Sequence, residues 1–265
     1  MKNTEWDKLT IHLIKYYMIA YKGFKSDLTC LGFQYELGKS YKYSEGPIQM
    51  CKRGFHACTN PLDVFSYYNP LDSRFAIVEL NGEIEEHSND SKVCSSEITI
   101  RKELNLKQFI SLCAEYNADS KLRTYPTDIL DVSKSPLVGL TIDGAIVCSK
   151  GTFQAMALSG DYCTITTFNS ASCICSVGYA NRINACGKAS DIISYGNAAN
   201  IYAVGSRVAS FGKNATIICH GAVRAKKGSI VTLLGDKQSL TKEIDGDIIK
   251  EDIWYILRDG KFTEL

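Results

Sequence analysis

Gly178-Tyr-Ala-Asn-Arg-Ile-Asn-Ala-Cys186, Gly187-Lys-Ala-Ser-Asp-Ile-Ile-Ser-Tyr195 and Gly196-Asn-Ala-Ala-Asn-Ile-Tyr-Ala-Val204 are three consecutive nonapeptides, each opened by glycine and carrying isoleucine at its sixth position. The period extends outward in both directions. Gly151, Gly160, Asn169, Gly178, Gly187, Gly196 and Gly205 stand nine apart, and Met156, Ile165, Ile174, Ile183, Ile192 and Ile201 each follow five places later. A fixed short period with turn formers at its joints is the signature of a solenoid.

Side chains alternate along a strand, so positions four, six and eight of a repeat share one face. Those positions hold a small residue, an aliphatic residue and another small residue, as in Ser172, Ile174 and Ser176. Such a face suits the interior of a narrow roll whose sheets lie about 10 Å apart. One repeat supplies one strand and one corner, so two repeats close a coil of eighteen residues; a three-sided coil is the alternative. Glycine at position one is expected to provide the positive φ of a tight corner. Positions five and seven face outward, and alternate repeats differ there. Ala155/Ala157, Cys173/Cys175 and Asp191/Ile193 form a drier face; Thr164/Thr166, Arg182/Asn184 and Asn200/Tyr202 form a wetter one. The drier face is expected to dock the front of the chain or to form an oligomer interface. Between Gly205 and Gly212 the step shrinks to seven, an irregularity usual near a solenoid end. Ile253–Leu257, Asp259-Gly260 and Lys261–Thr263 then read as a hairpin capping the open end.

The front of the chain reads as a small α+β domain over residues 1–118. Its expected elements are an amphipathic helix over 5–18, strands at 18–22, 32–38, 54–58, 74–80 and 97–102, a helix started by Asn60-Pro61, and a helix over 106–116. Residues 119–136, broken by Pro126 and Pro136, read as a linker; 137–240 is the two-sided parallel β-solenoid and 241–265 the C-terminal β-hairpin cap.

Composition narrows the function classes. Lys and Arg total 30 against 29 Asp and Glu, so no net field draws the chain to nucleic acid or anionic membrane. The short basic run Arg224-Ala-Lys226-Lys227 reads as a solvated turn. No stretch is long and apolar enough to span a bilayer, and the first residues lack a leader's apolar core. Eleven cysteines, an odd number, fit reduced thiols in a cytoplasmic setting; six of them occupy repeat slots filled elsewhere by Ser, Ala, Thr or Val, as packing residues. The nearest approach to a metal set is Cys51, His56 and Cys58 with Cys30, but paired short spacings are missing, and neither a metal nor a cofactor is expected.

The runs Ala20-Tyr-Lys-Gly-Phe24, Gly32-Phe-Gln-Tyr-Glu-Leu-Gly-Lys39, Gly54-Phe-His-Ala-Cys58 and Asn60-Pro-Leu-Asp-Val-Phe-Ser-Tyr-Tyr68 resemble the N-terminal domain of an uncharacterised phage and prophage family. Its members often end in nonapeptide repeats. The resemblance implies a mobile-element origin and assigns no activity. A second likeness is of pattern alone. Tyr21-Lys-Gly23, a glycine-led strand before Ser66-Tyr67-Tyr68, and Glu97 on a late strand resemble the ADP-ribosyltransferases. That would imply NAD as substrate, with Lys22, Tyr67 and Glu97 as site residues; Lys22 stands where that family has histidine. The repeats also resemble the parallel rolls of trimeric adhesin heads, which would imply a virion or fibre component.

No nucleophile–base order, phosphate-cradling loop or His-Glu-x-x-His occurs. The leading expectation is therefore a non-enzymatic binding protein of the host-cell cytoplasm, an inhibitor or sponge of a host defence system. Its partner would be a host protein or a small nucleotide ligand. The solenoid would serve as scaffold or homo-oligomer surface, and Phe168, Arg182, Tyr195 and Tyr202 as anchors.

Overall fold

The computed structural model describes residues 17–88, 90–118, 129–151, 153–168 and 170–265. The chain divides into two compact units, Met1–Asn60 with Asp72–Leu104 and Pro61–Leu71 with Asn105–Leu265. The helix expected over 5–18 lies outside the described residues except at its end, where Met18 already begins a strand.

The first unit is built from β1 (Met18–Lys25), β2 (Thr29–Cys30), β3 (Phe33–Gln34), β4 (Ser40–Lys42), β5 (Phe55–Cys58), β6 (Ser73–Glu86) and β7 (Lys92–Leu104). β6 and β7 form a long antiparallel pair, β1 runs beside β6, and β5 runs beside β7. The single pairing Tyr21↔Cys58 joins β5 to β1 and closes the sheet into a ring. Closure leaves β1, β5, β6 and β7 without free edges along those pairings. Ala20, Phe24, Phe55, Ala57, Val78, Leu80, Val93, Ile98 and Ile100 fill the inside. The strand expected over 32–38 is only β3; Leu31-Gly32 turns β2 back on it with both φ angles positive.

In the second unit, Pro61–Ser66 forms a 3₁₀ segment and α1 (Leu106–Asn117) a regular helix, opened by a reciprocal cap between Asn105 and Gln108. Both pack on the solenoid rather than standing apart from it. The solenoid strands are β8 (Leu130–Asp131), β9 (Leu137–Leu140), β10 (Ile146–Ser149), β11 (Phe153–Leu158), β12 (Thr164–Thr167), β13 (Ala171–Ser176), β14 (Arg182–Ser194), β15 (Asn200–Val204), β16 (Arg207–Ser210), β17 (Thr216–His220), β18 (Val223–Ala225) and β19 (Ile230–Leu234). They alternate between two parallel sheets over about five coils, and β14 turns a corner to serve in both. Sheet I contains β9, β11, β13, the end of β14, β16 and β18; sheet II contains β8, β10, β12, the start of β14, β15, β17 and β19.

The register gives the coil length directly. Thr164 lies beside Arg182 and Arg182 beside Asn200, eighteen residues apart each time. Asn200 then lies beside Thr216, and Thr216 beside Ile230, so the coil tightens to sixteen and then fourteen residues. The seven-residue step is thus a shortening of corners, with both sheets kept in register. Inside, Met156, Ile174, Ile192 and Val208 stack in one row, and Ile165, Ile183, Ile201 and Ile217 in the facing one. Each such buried aliphatic side chain contributes about 1.5–3 kcal/mol of transfer free energy.

Gly205 has the expected positive φ, +64°, but the other corner glycines serve a different purpose. Gly160, Gly178, Gly196 and Gly212 do not have positive φ; they lie against the backbone of the coil before. A Cβ on Gly178 would sit 2.0 Å from the Gly160 carbonyl oxygen, and one on Gly196 only 1.7 Å from that of Gly178. The left-handed residues come two places later, at Tyr162, Ala180, Ala198 and Asn214.

At the far end β20 (Ser239–Glu243) pairs antiparallel with β19, and β21 (Trp254–Arg258) with β18, so each sheet's last strand is covered. β21 and β22 (Lys261–Glu264) form the expected hairpin, with positive φ at both Asp259 and Gly260.

Candidate functional site

The outer faces of the two solenoid sheets have different fates. On sheet I, Ala155, Ala157, Cys173 and Cys175 are buried where the 3₁₀ segment and α1 pack on β11 and β13, and Phe65 meets Phe109 edge-on at 5.5 Å; Ile193 is buried on the coil that follows. The docking partner of the drier face is thus the chain's own helical segment. Sheet II carries no such cover among the described residues. Arg182 and Asn200 are neighbours there, as are Asn184 and Tyr202, so Arg182 and Tyr202 lie diagonally on one exposed surface. Tyr202 continues into Ile218 on the next coil, and Ile230 sits beside Thr216, giving an apolar patch with Tyr202 39%, Ile218 37% and Ile230 49% exposed.

Of the other two expected anchors, exposed Phe168 follows Thr167 at a corner of sheet II. Tyr195 follows β14 on sheet I, half-buried and stacked on Phe211 at 4.7 Å, with the Arg224 guanidinium 5.3 Å from the Phe211 ring. Burial raises the Tyr195 phenol pKa. Ile218 and Ile230 were accessible to sequence reasoning only by carrying the outward alternation through the seven-residue step: Thr216 and Ile218 are positions five and seven counted from Gly212. The exposed edge-to-face pair Tyr162–Tyr179, 5.5 Å apart, had no such signal.

The first unit holds a group of amines and thiols. Lys22 lies on the inward row of β1 with Ala20 and Phe24 and is 3% exposed. Its ammonium donates to the His56 carbonyl at 2.7 Å, lies 3.5 Å from Cys30 Sγ, and sits 5.5 and 5.4 Å from the Phe24 and Tyr35 ring centres. Burial lowers its pKa, against the opposing pull of Cys30. On the same end, Lys92 Nζ lies 3.3 Å from Cys51 Sγ, and the Cys51 amide donates to His56 Nε2 at 2.9 Å. That bond makes Nε2 an acceptor and assigns the imidazole proton to Nδ1. Cys51 and His56 therefore meet through a backbone amide, and no three His, Cys, Asp or Glu side chains among the described residues converge for a metal.

Burial, reinforced by Lys22 and Lys92, pushes the His56 pKa from 6.5 down to about 4. The unfolded chain then binds a proton that the folded one refuses throughout this window. Stability conferred by neutral His56 is complete above pH 6.5 and falls as the pH drops toward 4. Denaturant midpoints at pH 7, 5.5 and 4.5 are expected to decline in order. His56→Gln, which keeps an acceptor for the Cys51 amide, should flatten the decline; an unchanged slope would place its origin elsewhere.

Within the first unit, Lys22 and Glu97 of the transferase-like pattern do not share a face of the sheet. Lys22 faces inward. Glu97 faces outward on β7, bound to Lys42 at 2.9 Å, in a cleft of about 320 Å³ lined also by Glu79, Asn81 and Arg101. Tyr67 is exposed and belongs to the other unit. The buried thiols match a packing role: burial raises Cys94 to about 11 and Cys219 to about 12, and holds Cys113 and Cys175 well above the ordinary range.

No helix among the described residues is long and apolar enough to cross a membrane. The chain matches no curated protein and no solved structure. Residues 18–112, from β1 into α1 and short of the solenoid, match the family model described as Domain of unknown function (DUF7666).

Proposed function

We propose that this chain is a non-enzymatic binding protein that engages a partner protein through the outer face of sheet II. The carrying observation is the asymmetry of the solenoid: sheet I is covered by the chain's own helical segment, whereas sheet II leaves Tyr202, Ile218 and Ile230 exposed beside Arg182 and a field of Thr and Asn. A parallel sheet that gathers aromatic, aliphatic and guanidinium groups on one exposed face has the composition of a binding hot spot with a polar rim. The resemblance to a phage-borne family favours a host protein as the target, which makes inhibition or sequestration of a defence component the function we favour. The separation of Lys22 from Glu97 weighs against the transferase reading.

The test is retention of proteins from host lysate by wild-type chain and two variants, followed by affinity measurement with the retained partner. Arg182→Ala/Tyr202→Ala is expected to weaken binding at least ~30-fold, the scale of a lost hot spot. Glu97→Gln should leave it unchanged. Equal binding by the double variant would overturn the assignment to sheet II. Loss of NAD-dependent labelling on Glu97→Gln would establish the enzyme instead.

A further inference from the structure

We propose that Lys22 and Cys30 are an oxidation site, at which a hydroperoxide drives formation of a covalent sulfur–nitrogen bond between the two side chains. The pair is in contact, with Nζ 3.5 Å from Sγ, and the two side chains come from different strands. Lys22 comes from the interior row of β1, where its ammonium is fixed by the His56 carbonyl and flanked by Phe24 and Tyr35. Cys30 comes from the two-residue strand β2, half-buried, next to Leu31 at a turn tip that is 92% exposed. The return of the chain is held by Leu28 N–H on the Lys25 carbonyl at 3.0 Å and by Tyr35 N–H on the Leu28 carbonyl at 3.1 Å. Cys30 is thus the more accessible member of the pair and Lys22 the buried one.

The chemistry closes in two steps. The Cys30 thiol attacks the hydroperoxide; the O–O bond breaks, sulfur is oxidised by two electrons to the sulfenic acid, and the peroxide leaves as its alcohol, or as water from hydrogen peroxide. The Lys22 nitrogen lone pair then attacks sulfur. The S–O bond breaks, the S–N bond forms, and hydroxide departs with a proton from nitrogen as water. Sulfenic acids condense in this way with nearby nitrogen nucleophiles. The attack needs an uncharged amine, and burial of Lys22 favours that form. Cys58, a buried thiol on β5 opposite Tyr21 of β1, is the competing nucleophile. A thiol reductant reverses the link by attacking sulfur and expelling the amine.

The protein is treated with stoichiometric hydrogen peroxide, digested without reductant and sequenced by mass spectrometry. Cleavage after Lys25 leaves Lys22 and Cys30 in separate peptides. The expected product is the two peptides joined, lighter than their sum by two hydrogens, separated again by dithiothreitol and still formed in Cys58→Ser. A Cys30–Cys58 disulfide that disappears in Cys58→Ser, or Cys30 carried to sulfinic acid with Lys22 unmodified, would overturn the proposal. Lys22→Met should abolish the cross-link and leave Cys30 open to sulfenic-acid reagents. The wild-type peptides decide the question even where that variant fails to fold.

Discussion

Gly196→Ala is expected to abolish cooperative folding of the solenoid. The added methyl would lie 1.7 Å from the Gly178 carbonyl oxygen and 2.6 Å from its carbon, and both atoms are backbone. Neither coil can move aside locally. Tyr195, one residue before, donates its N–H to the Ser176 carbonyl at 2.8 Å, and Ala198, two residues after, donates to the Lys213 carbonyl at 2.8 Å. Relieving the clash means opening ladders at a spacing of about 4.8 Å and losing several backbone bonds at once. A loss above ~4 kcal/mol is expected, beyond the ordinary range for point substitutions. Gly205→Ala is the control. Gly205 has φ +64°, and its nearest neighbour in that direction is the Lys188 side chain at 3.5 Å, so there the strain is conformational, about 1–2 kcal/mol. Denaturant unfolding followed by circular dichroism separates the two causes: a mild effect at Gly196 with a severe one at Gly205 would restore dihedral freedom as the reason for the repeat glycines.

That reversal of causes shows what the sequence could and could not express. The nine-residue period, the inward aliphatic row and the difference between faces depend on side-chain alternation, which is local, so Ile165, Ile183 and Ile201 declared their stacking. The reason for glycine at position one depends on the neighbouring coil and was not local. Lys22 illustrates the same limit in the first unit. On a strand read alone a lysine passes for a solvated residue; the ring closure through Tyr21↔Cys58 places it inside. The cover on sheet I was half legible, since an apolar outward face demands burial, but its occupant was decided by the 3₁₀ segment and α1 packing on that sheet. On the candidate binding face, Arg182 and Tyr202 were readable from repeat position, while Ile218 and Ile230 were obscured by the shortened corners.

Arg207→Met is expected to destabilise the second unit by about 3–5 kcal/mol, because it strands a buried carboxylate. Asp191 is 1% exposed on the covered face of sheet I, in the row that holds Ala155 and Cys173 in the earlier coils. Its two oxygens accept from Arg207 Nε and Asn69 Nδ2, each at 2.8 Å. The Arg207 guanidinium also lies 5.8 Å from the centre of the Trp254 ring, which links the carboxylate to the first strand of the C-terminal hairpin. The two partners are not equivalent. Arg207 has a side chain 40% exposed against 2% for Asp191, so water can solvate the arginine alone but not the aspartate alone. Asp191→Asn, which removes the charge and retains an acceptor for Asn69, should therefore cost only about 1 kcal/mol, the scale of a single hydrogen bond. The double variant should recover most of the loss seen with Arg207→Met. Unfolding free energies of the four proteins give the coupling, expected above ~2 kcal/mol. A value near zero would mean that Asn69 suffices to hold the carboxylate, and that the 61–71 segment, not the Arg207 charge, is what keeps sheet I covered.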